Sequence, residues 1–89
     1  MKSKQIVVTR KVSDLMNSNE KFSQEVENSM LRYLVNDWGD LCDEDKEYND
    51  IALKEGERIL ASYQTSQGKI WIITEWDRSV TTILFPDEY

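Results

Sequence analysis

The chain has 89 residues, 17 acidic and 11 basic side chains, one Cys and no His, and its formal charge is −6. This length predicts one domain, spanning residues 1–89. The lack of His removes the usual general base at neutral pH and the commonest metal ligand, and one Cys cannot supply an internal disulfide or a thiolate zinc site. We therefore expect a binding protein, with no enzymatic activity and no cofactor.

The N-terminal residues carry no export signal. Their apolar stretch runs only from Ile6 to Val8 and is followed by Arg10 and Lys11, whereas a secretory signal needs an apolar core of about 7 to 15 residues. No apolar run approaches the roughly 20 residues of a membrane span. We expect a cytoplasmic protein that does not enter a membrane.

The first elements in the chain are a short strand and a helical turn. Segment 5–9 is rich in β-branched residues and predicts a strand, at the edge of a sheet. Ser13 is a candidate N-cap for a short helical turn through Leu15 and Met16, with Asp14 near the positive end of the helix dipole.

The strongest helix prediction covers residues 20–35. Ser18 or Asn19 is its candidate N-cap. One stripe of apolar residues follows helical spacing: Phe22, Val26, Met30, Tyr33 and Leu34. Leu31 and Val35 extend the stripe, which predicts deeper burial of the C-terminal half.

A third helix is predicted over residues 43–55, after turn-forming residues at 36–40. Gly56 is a natural stop, because glycine adopts the left-handed conformation at the end of a helix without steric cost. The expected inner face consists of Tyr48, Ile51, Ala52 and Glu55.

After Gly56 the apolar period changes from 3.6 to 2, which predicts strands over 58–64, 69–76 and 80–85. Tight connections join them, so we expect an antiparallel meander that ends at Pro86. The middle strand is apolar on both faces, so helices or a partner should cover both sides. The predicted fold is α+β, with about three helices packed on a small antiparallel sheet and an N-terminal strand as a candidate addition.

The negative charge is concentrated in residues 37–57, where nine acids and two bases give a net charge of −7. Such a segment can imitate the phosphates of a nucleic acid and occupy a basic groove of a partner. It can equally be a solvated helix face with acids near the positive helix N-terminus. Direct nucleic-acid binding is not expected here, because phosphate would be repelled. The candidate partner contacts are Asp37, Asp40, Asp43, Glu44, Asp45, Glu47 and Asp50.

Two residues complete the predicted contact set: Trp76 at the end of the middle strand and Arg78 in the turn that follows. Trp76 is expected to be partly exposed, and Trp is common at interface hot spots. Arg78 can contact a partner or pair locally with Asp77 or Glu75. No metal ligand set is predicted, since the alternating acids from Asp43 lack the Gly and Glu of a calcium loop.

The C-terminal three fifths of the chain resemble a known group of proteins. The residues that carry the resemblance are Trp38-Gly39-Asp40, NDIAL at 49–53, GERILASY at 56–63 and IWIITEWDRSVTTILFPDEY at 70–89. They are similar to short "plasmid-related" proteins of plasmids, integrative elements and phages, chiefly in Gram-positive bacteria. The resemblance implies a mobile-element protein and brings no catalytic residues. Because small proteins of such elements often block host defence, it suggests an anti-CRISPR role.

We therefore expect an inhibitor that binds a host protein, such as a CRISPR effector with a basic nucleic-acid channel. One alternative is a plasmid-maintenance or regulatory module, with a homodimer as a candidate state, that binds DNA through its basic N-terminal end: Lys2, Lys4, Arg10 and Lys11. A winged helix would need its recognition helix at 43–55, where acidic residues oppose DNA binding. Another alternative is a structural accessory that pairs through a sheet edge.

Overall fold

The computed structural model describes residues 3–89, which form three helices and one four-stranded sheet. The predicted α+β fold is confirmed. Lys2, one of the predicted basic residues, lies outside the described part of the chain. The elements in chain order are β1 (Gln5–Val8), α1 (Arg10–Ser18), α2 (Glu20–Leu34), α3 (Asp43–Glu55), β2 (Ile59–Thr65), β3 (Gly68–Thr74), β4 (Val80–Leu84) and a 3₁₀ turn (Pro86–Glu88).

The sheet has the strand order β1-β4-β3-β2. The antiparallel meander of β2, β3 and β4 is confirmed, and β1 is the edge strand that its sequence predicted. However, β1 pairs with β4 in parallel, with Gln5 opposite Val80 and Val8 opposite Ile83. The sheet is therefore mixed rather than purely antiparallel.

The main core lies between one face of the sheet and the helices. Phe22 of α2 stacks on Phe85 with ring centroids 5.8 Å apart, and the Tyr33 hydroxyl lies 2.5 Å from the Thr74 hydroxyl. The inward residues of β2 and β3 follow the predicted alternation. The buried core residues are Val12, Phe22, Val26, Tyr33, Trp38, Ala52, Ile59, Ala61, Tyr63, Ile70, Ile72, Ile83 and Phe85.

The first helix is longer than predicted and begins earlier. It spans nine residues, and its N-cap is Thr9, not Ser13. Thr9 has an extended backbone, accepts a hydrogen bond from the Val12 amide at 3.4 Å and donates one to Glu88 at 2.9 Å. Thr9 therefore starts the helix instead of ending the strand.

The second helix begins as predicted, with Asn19 as N-cap accepting from the Phe22 amide at 3.0 Å. The predicted deep burial of its C-terminal half is wrong: Leu31 is 63% exposed and Val35 75%. At about 100° per residue, both lie on the side of the helix away from the buried stripe. That stripe consists of Phe22, Val26, Ser29 and Tyr33.

The third helix ends at Gly56, whose φ of 74° is the predicted left-handed conformation. Its predicted inner face is only partly right. Ala52 is buried, but Tyr48 and Ile51 are 56% and 52% exposed, and the second buried residue is Asn49. A polar residue takes the inner position because it binds the backbone of the adjacent strand.

The second face of the sheet carries Trp71, Ile73 and Leu84. Helices α1 and α2 pack on the opposite face. The second face, which we expected helices or a partner to cover, is covered in part by the C-terminal residues of the chain itself. Tyr89, after the 3₁₀ turn, folds back and meets Trp71 edge-on with ring centroids 5.7 Å apart. The C-terminal residues therefore help to keep this face out of solvent.

Candidate functional site

The seven predicted carboxylates lie on the 37–42 loop and on α3, and we call them together the acidic surface. All seven residues are exposed. The acidic surface consists of Asp37, Asp40, Asp43, Glu44, Asp45, Glu47 and Asp50. Its members differ in whether their carboxylate oxygens already accept hydrogen bonds within the protein.

Asp37 is held by the fold. Its carboxylate accepts two hydrogen bonds from Arg32, at 2.8 and 3.2 Å, and a third from the Gly39 amide at 3.1 Å. The hydrogen bond from Arg32 is the main reason that the pKa of Asp37 is lowered. Its carbonyl also accepts from the Tyr63 hydroxyl at 2.6 Å. Asp37 therefore fixes the start of the loop.

Asp50 is also used internally, since its Oδ1 accepts a hydrogen bond from the Trp38 indole at 2.9 Å. Trp38 is 2% exposed and packs edge-on against Tyr33, with ring centroids 5.4 Å apart. A buried indole N–H without a partner would be costly. Asp50 thus ties α3 to the loop before it.

The loop is attached to the edge of β2. Gly39 forms a parallel bridge with Ser62, the Asp40 amide donates to the Ser62 carbonyl at 2.7 Å, and the Ser62 amide donates to the Trp38 carbonyl at 3.4 Å. These bonds fix the loop backbone, so Asp40 is presented from a defined position.

Sequence reasoning missed Asn49, which is 2% exposed and binds both backbone groups of Leu60. The signal was present in the sequence, because Asn49 stands three residues before Ala52 and so shares its side of the helix. A polar residue on an inner face indicates a hydrogen-bond partner there.

The other five carboxylates have no side-chain hydrogen bond or ion pair within residues 3–89. Three of them occupy the first turn of α3, whose N-cap Cys42 makes no side-chain cap bond. The helix dipole favours acids at this position, so these three side chains also stabilise the start of α3. The five are Asp40, Asp43, Glu44, Asp45 and Glu47.

The remaining two candidates, Trp76 and Arg78, lie in the β3–β4 turn, and Arg78 contacts the C-terminal end of α3. Trp76 is 67% exposed, in agreement with the expected exposure. Arg78 does contact Glu75 in the turn, as one of its two expected roles has it, but through the backbone: its guanidinium donates to the carbonyl oxygens of Ala52, Glu57 and Glu75 at 3.1, 2.7 and 3.2 Å. Ala52 is nine residues beyond Asp43, about 14 Å along the helix. The structure therefore does not bring these two residues together with the acidic turn.

A groove of about 310 Å³ separates α3 from the edge of β2. Arg58 lies in its wall and donates a hydrogen bond to the Tyr89 hydroxyl, while its Nε lies 3.6 Å from a Glu75 oxygen. The lining residues are Leu41, Asp45, Tyr48, Asn49, Arg58 and Leu60. The acidic surface thus borders a concave feature with apolar and aromatic walls.

Within residues 3–89, no group of three His, Cys, Asp or Glu side chains has the arrangement of a metal site. No helix in the same range is long and apolar enough to cross a membrane. The resemblance to "plasmid-related" proteins stays a prediction, because a scan against protein-family models and searches of curated proteins and of solved structures found no match for this chain.

Proposed function

We propose that the protein is an inhibitor that binds a nucleic-acid-binding protein of host defence, of the CRISPR effector type, through its acidic surface. One observation carries the proposal: five exposed carboxylates without an internal partner in the described residues stand on a loop and a helix that the fold holds in place. The inhibitor would occupy the channel that normally receives nucleic acid, and so act as a nucleic-acid mimic.

The spacing of the free acids supports mimicry. Asp43 and Glu47 are one helical turn apart, about 6 Å along the axis, and Asp40 precedes them on the anchored loop. A row of fixed negative charges attracts a basic channel over a long range, and binding releases the counter-ions of both surfaces. The affinity should therefore fall steeply as salt increases.

The test is the double charge reversal Asp43→Lys with Glu47→Lys, measured by binding to a purified CRISPR effector at several salt concentrations. The matched control is Glu20→Lys with Glu27→Lys on α2, which changes the net charge equally on two exposed residues. Mimicry predicts a large loss of affinity and of its salt dependence for the first variant alone. Equal affinities for both variants, without salt dependence, would reject it.

The open sheet edge favours a second candidate, a structural accessory that pairs through β1. Ile6 is 54% exposed and Val8 37% on this strand, and an edge strand can accept a strand from a partner. Ile6→Lys should abolish any self-association seen in a mass measurement in solution. A monomeric wild type at high concentration would count against self-pairing.

The DNA-binding alternative rests on the basic N-terminal end, where Lys11 lies 3.4 Å from Asp87 and Arg10 lies 3.9 Å from Asp14. Removing residues 1–11 would delete β1, so substitution is the better test. Lys4→Gln with Arg10→Gln should weaken a DNA shift if this alternative holds. No shift with the intact protein would exclude it.

A further inference from the structure

The groove between α3 and β2 has a floor and a rim of different chemistry. Leu41 and Leu60 are half-buried and present apolar surface, whereas Asp45 and Tyr48 are exposed on the helix side. Asp45 and Tyr48 are three residues apart on α3, so their side chains are neighbours on one flank. An apolar floor beside a carboxylate and an aromatic ring suits a long side chain with a charged end.

The sign of the charge that fits follows from the surrounding groups. Asp45 has no ion pair within the described residues, and it lies in the segment of net charge −7. The one cationic side chain of the lining, Arg58, lies 3.6 Å from Glu75 and donates to Tyr89. Its charge is therefore partly offset by Glu75, whereas the charge of Asp45 is not offset by an ion pair within residues 3–89. The groove favours a cation.

Tyr48 adds a preference for a flat cation. The residue is 56% exposed, and a guanidinium can stack on an exposed aromatic ring while it donates two parallel hydrogen bonds to a carboxylate. A lysine ammonium can contact the ring or the carboxylate, but it cannot stack on the ring and donate two parallel hydrogen bonds to the carboxylate.

We infer that the groove receives an arginine side chain of a basic protein segment, with the stem on Leu41 and Leu60 and the guanidinium between Asp45 and Tyr48. This rests on the proposed function and deepens it, since it names the group of the partner that fixes the orientation of the complex. The remaining acids would then act through their long-range field and not through a shaped contact.

The probe is the peptide acetyl-Gly-Arg-Gly-amide, titrated into ¹⁵N-labelled protein and followed by amide chemical shifts. The expected result is saturable shifts centred on Tyr48, Asn49 and Leu60, and weaker binding of the lysine peptide. The neutral citrulline peptide should give no saturable shifts. Asp45→Asn and Tyr48→Ala should each weaken arginine binding about fivefold.

Glu55→Gln is the matched control, because it removes the same charge from the same helix outside both the groove lining and the acidic surface. It should change the peptide affinity less than about twofold. Equal weakening by Asp45→Asn and Glu55→Gln, shifts spread over all of α3, or no binding at all would each overturn the groove assignment. The peptide measurement needs no effector, so it can fail while the effector binds, or succeed while the effector does not.

Discussion

The side-chain amide of Asn49 pairs with both backbone groups of Leu60: Nδ2 donates to the carbonyl at 2.8 Å, and the Leu60 amide donates to Oδ1 at 3.4 Å. Leu60 lies in β2, which is an edge strand of the sheet. Asn49 thus supplies the partners that a further strand would otherwise give. With the Gly39–Ser62 bridge, it closes this edge of the sheet and places α3 beside it.

Asn49→Ala should destabilise the protein by about 2 kcal/mol, because two hydrogen bonds are lost and the Leu60 backbone groups lose their side-chain partner. Urea unfolding followed by circular dichroism measures the change. The control is Asn28→Ala on the exposed side of α2, which should change the stability by less than about 0.5 kcal/mol. Similar losses for both variants would mean that the Leu60 contacts contribute little.

Gly39→Ala should be among the most damaging single-methyl changes. Its φ is 77°, and an added Cβ would overlap the Ser62 carbonyl oxygen and come within 2.8 Å of the Tyr63 ring. The loop would have to leave the edge of β2. Gly68 has a φ of 106° with open space around its Cα, so Gly68→Ala carries the backbone strain alone, about 1 kcal/mol. A thermal midpoint that falls equally in both variants would contradict the steric argument.

The sequence predicted most local structure, because the signals for it are local. The α2 stripe and its Asn19 cap, the Gly56 stop and the period-2 strands each depend on residues a few positions apart. The parallel pairing of β1 with β4 joins residues about 75 positions apart, such as Gln5 and Val80. No spacing within either strand encodes that choice.

The candidate site was predictable as a charge cluster but not as a surface. The sequence located the acids, yet it could not separate Asp37 and Asp50, which the fold uses, from Asp43 and Glu47, which it leaves free. For Asp50 the distinction comes from the burial of Trp38, because an enclosed indole N–H needs a hydrogen-bond acceptor. The groove could not be predicted either, because the sequence pattern placed Tyr48 on the inner face of α3, whereas Asn49 takes that position in the structure.

Asp37→Asn should show how much the Arg32 ion pair contributes and at which pH. Because the pKa of Asp37 is lowered in the folded state, its contribution is present above the unfolded value of about 3.9 and is lost as the pH falls through the folded value. Both side chains are nearly half exposed, so the loss at pH 7 should not exceed about 1 kcal/mol. Urea titrations at pH 7 and in acid should show that the difference in unfolding free energy between the wild type and Asp37→Asn becomes smaller in acid. A difference in unfolding free energy that does not change with pH would contradict this assignment.

Tyr33 should make the protein sensitive to alkali. The side chain is fully buried, and burial raises its pKa to about 12, against about 10 in the unfolded chain. Its contribution is therefore complete below pH 10 and declines as the pH rises to 12. Tyr33→Phe should be about 1 kcal/mol less stable at pH 7, from the lost bond to Thr74. The difference between the two proteins should shrink above pH 10, and parallel stability curves would refute the assignment.

Arg78→Met separates a structural role of Arg78 from a binding role. Its guanidinium joins the β3–β4 turn to the end of α3 through carbonyl oxygens, including those of Ala52 and Glu57. Methionine keeps part of the apolar stem but none of the donors, so we expect a loss of about 1–3 kcal/mol in urea unfolding. Arg78→Lys should recover only part of it, because an ammonium cannot reach several carbonyls with a planar fork.

Trp76→Ala is the control in the same turn, since an exposed side chain should change the stability by less than about 0.5 kcal/mol. If Trp76 contacts the partner, Trp76→Ala should weaken effector binding without a change in unfolding free energy. Arg78→Met, in contrast, should lower the unfolding free energy. Unchanged unfolding of Arg78→Met combined with weakened effector binding would instead place Arg78 in the interface. The two variants together therefore decide whether the surface that contacts the partner reaches the end of α3 or stops at its acidic first turn.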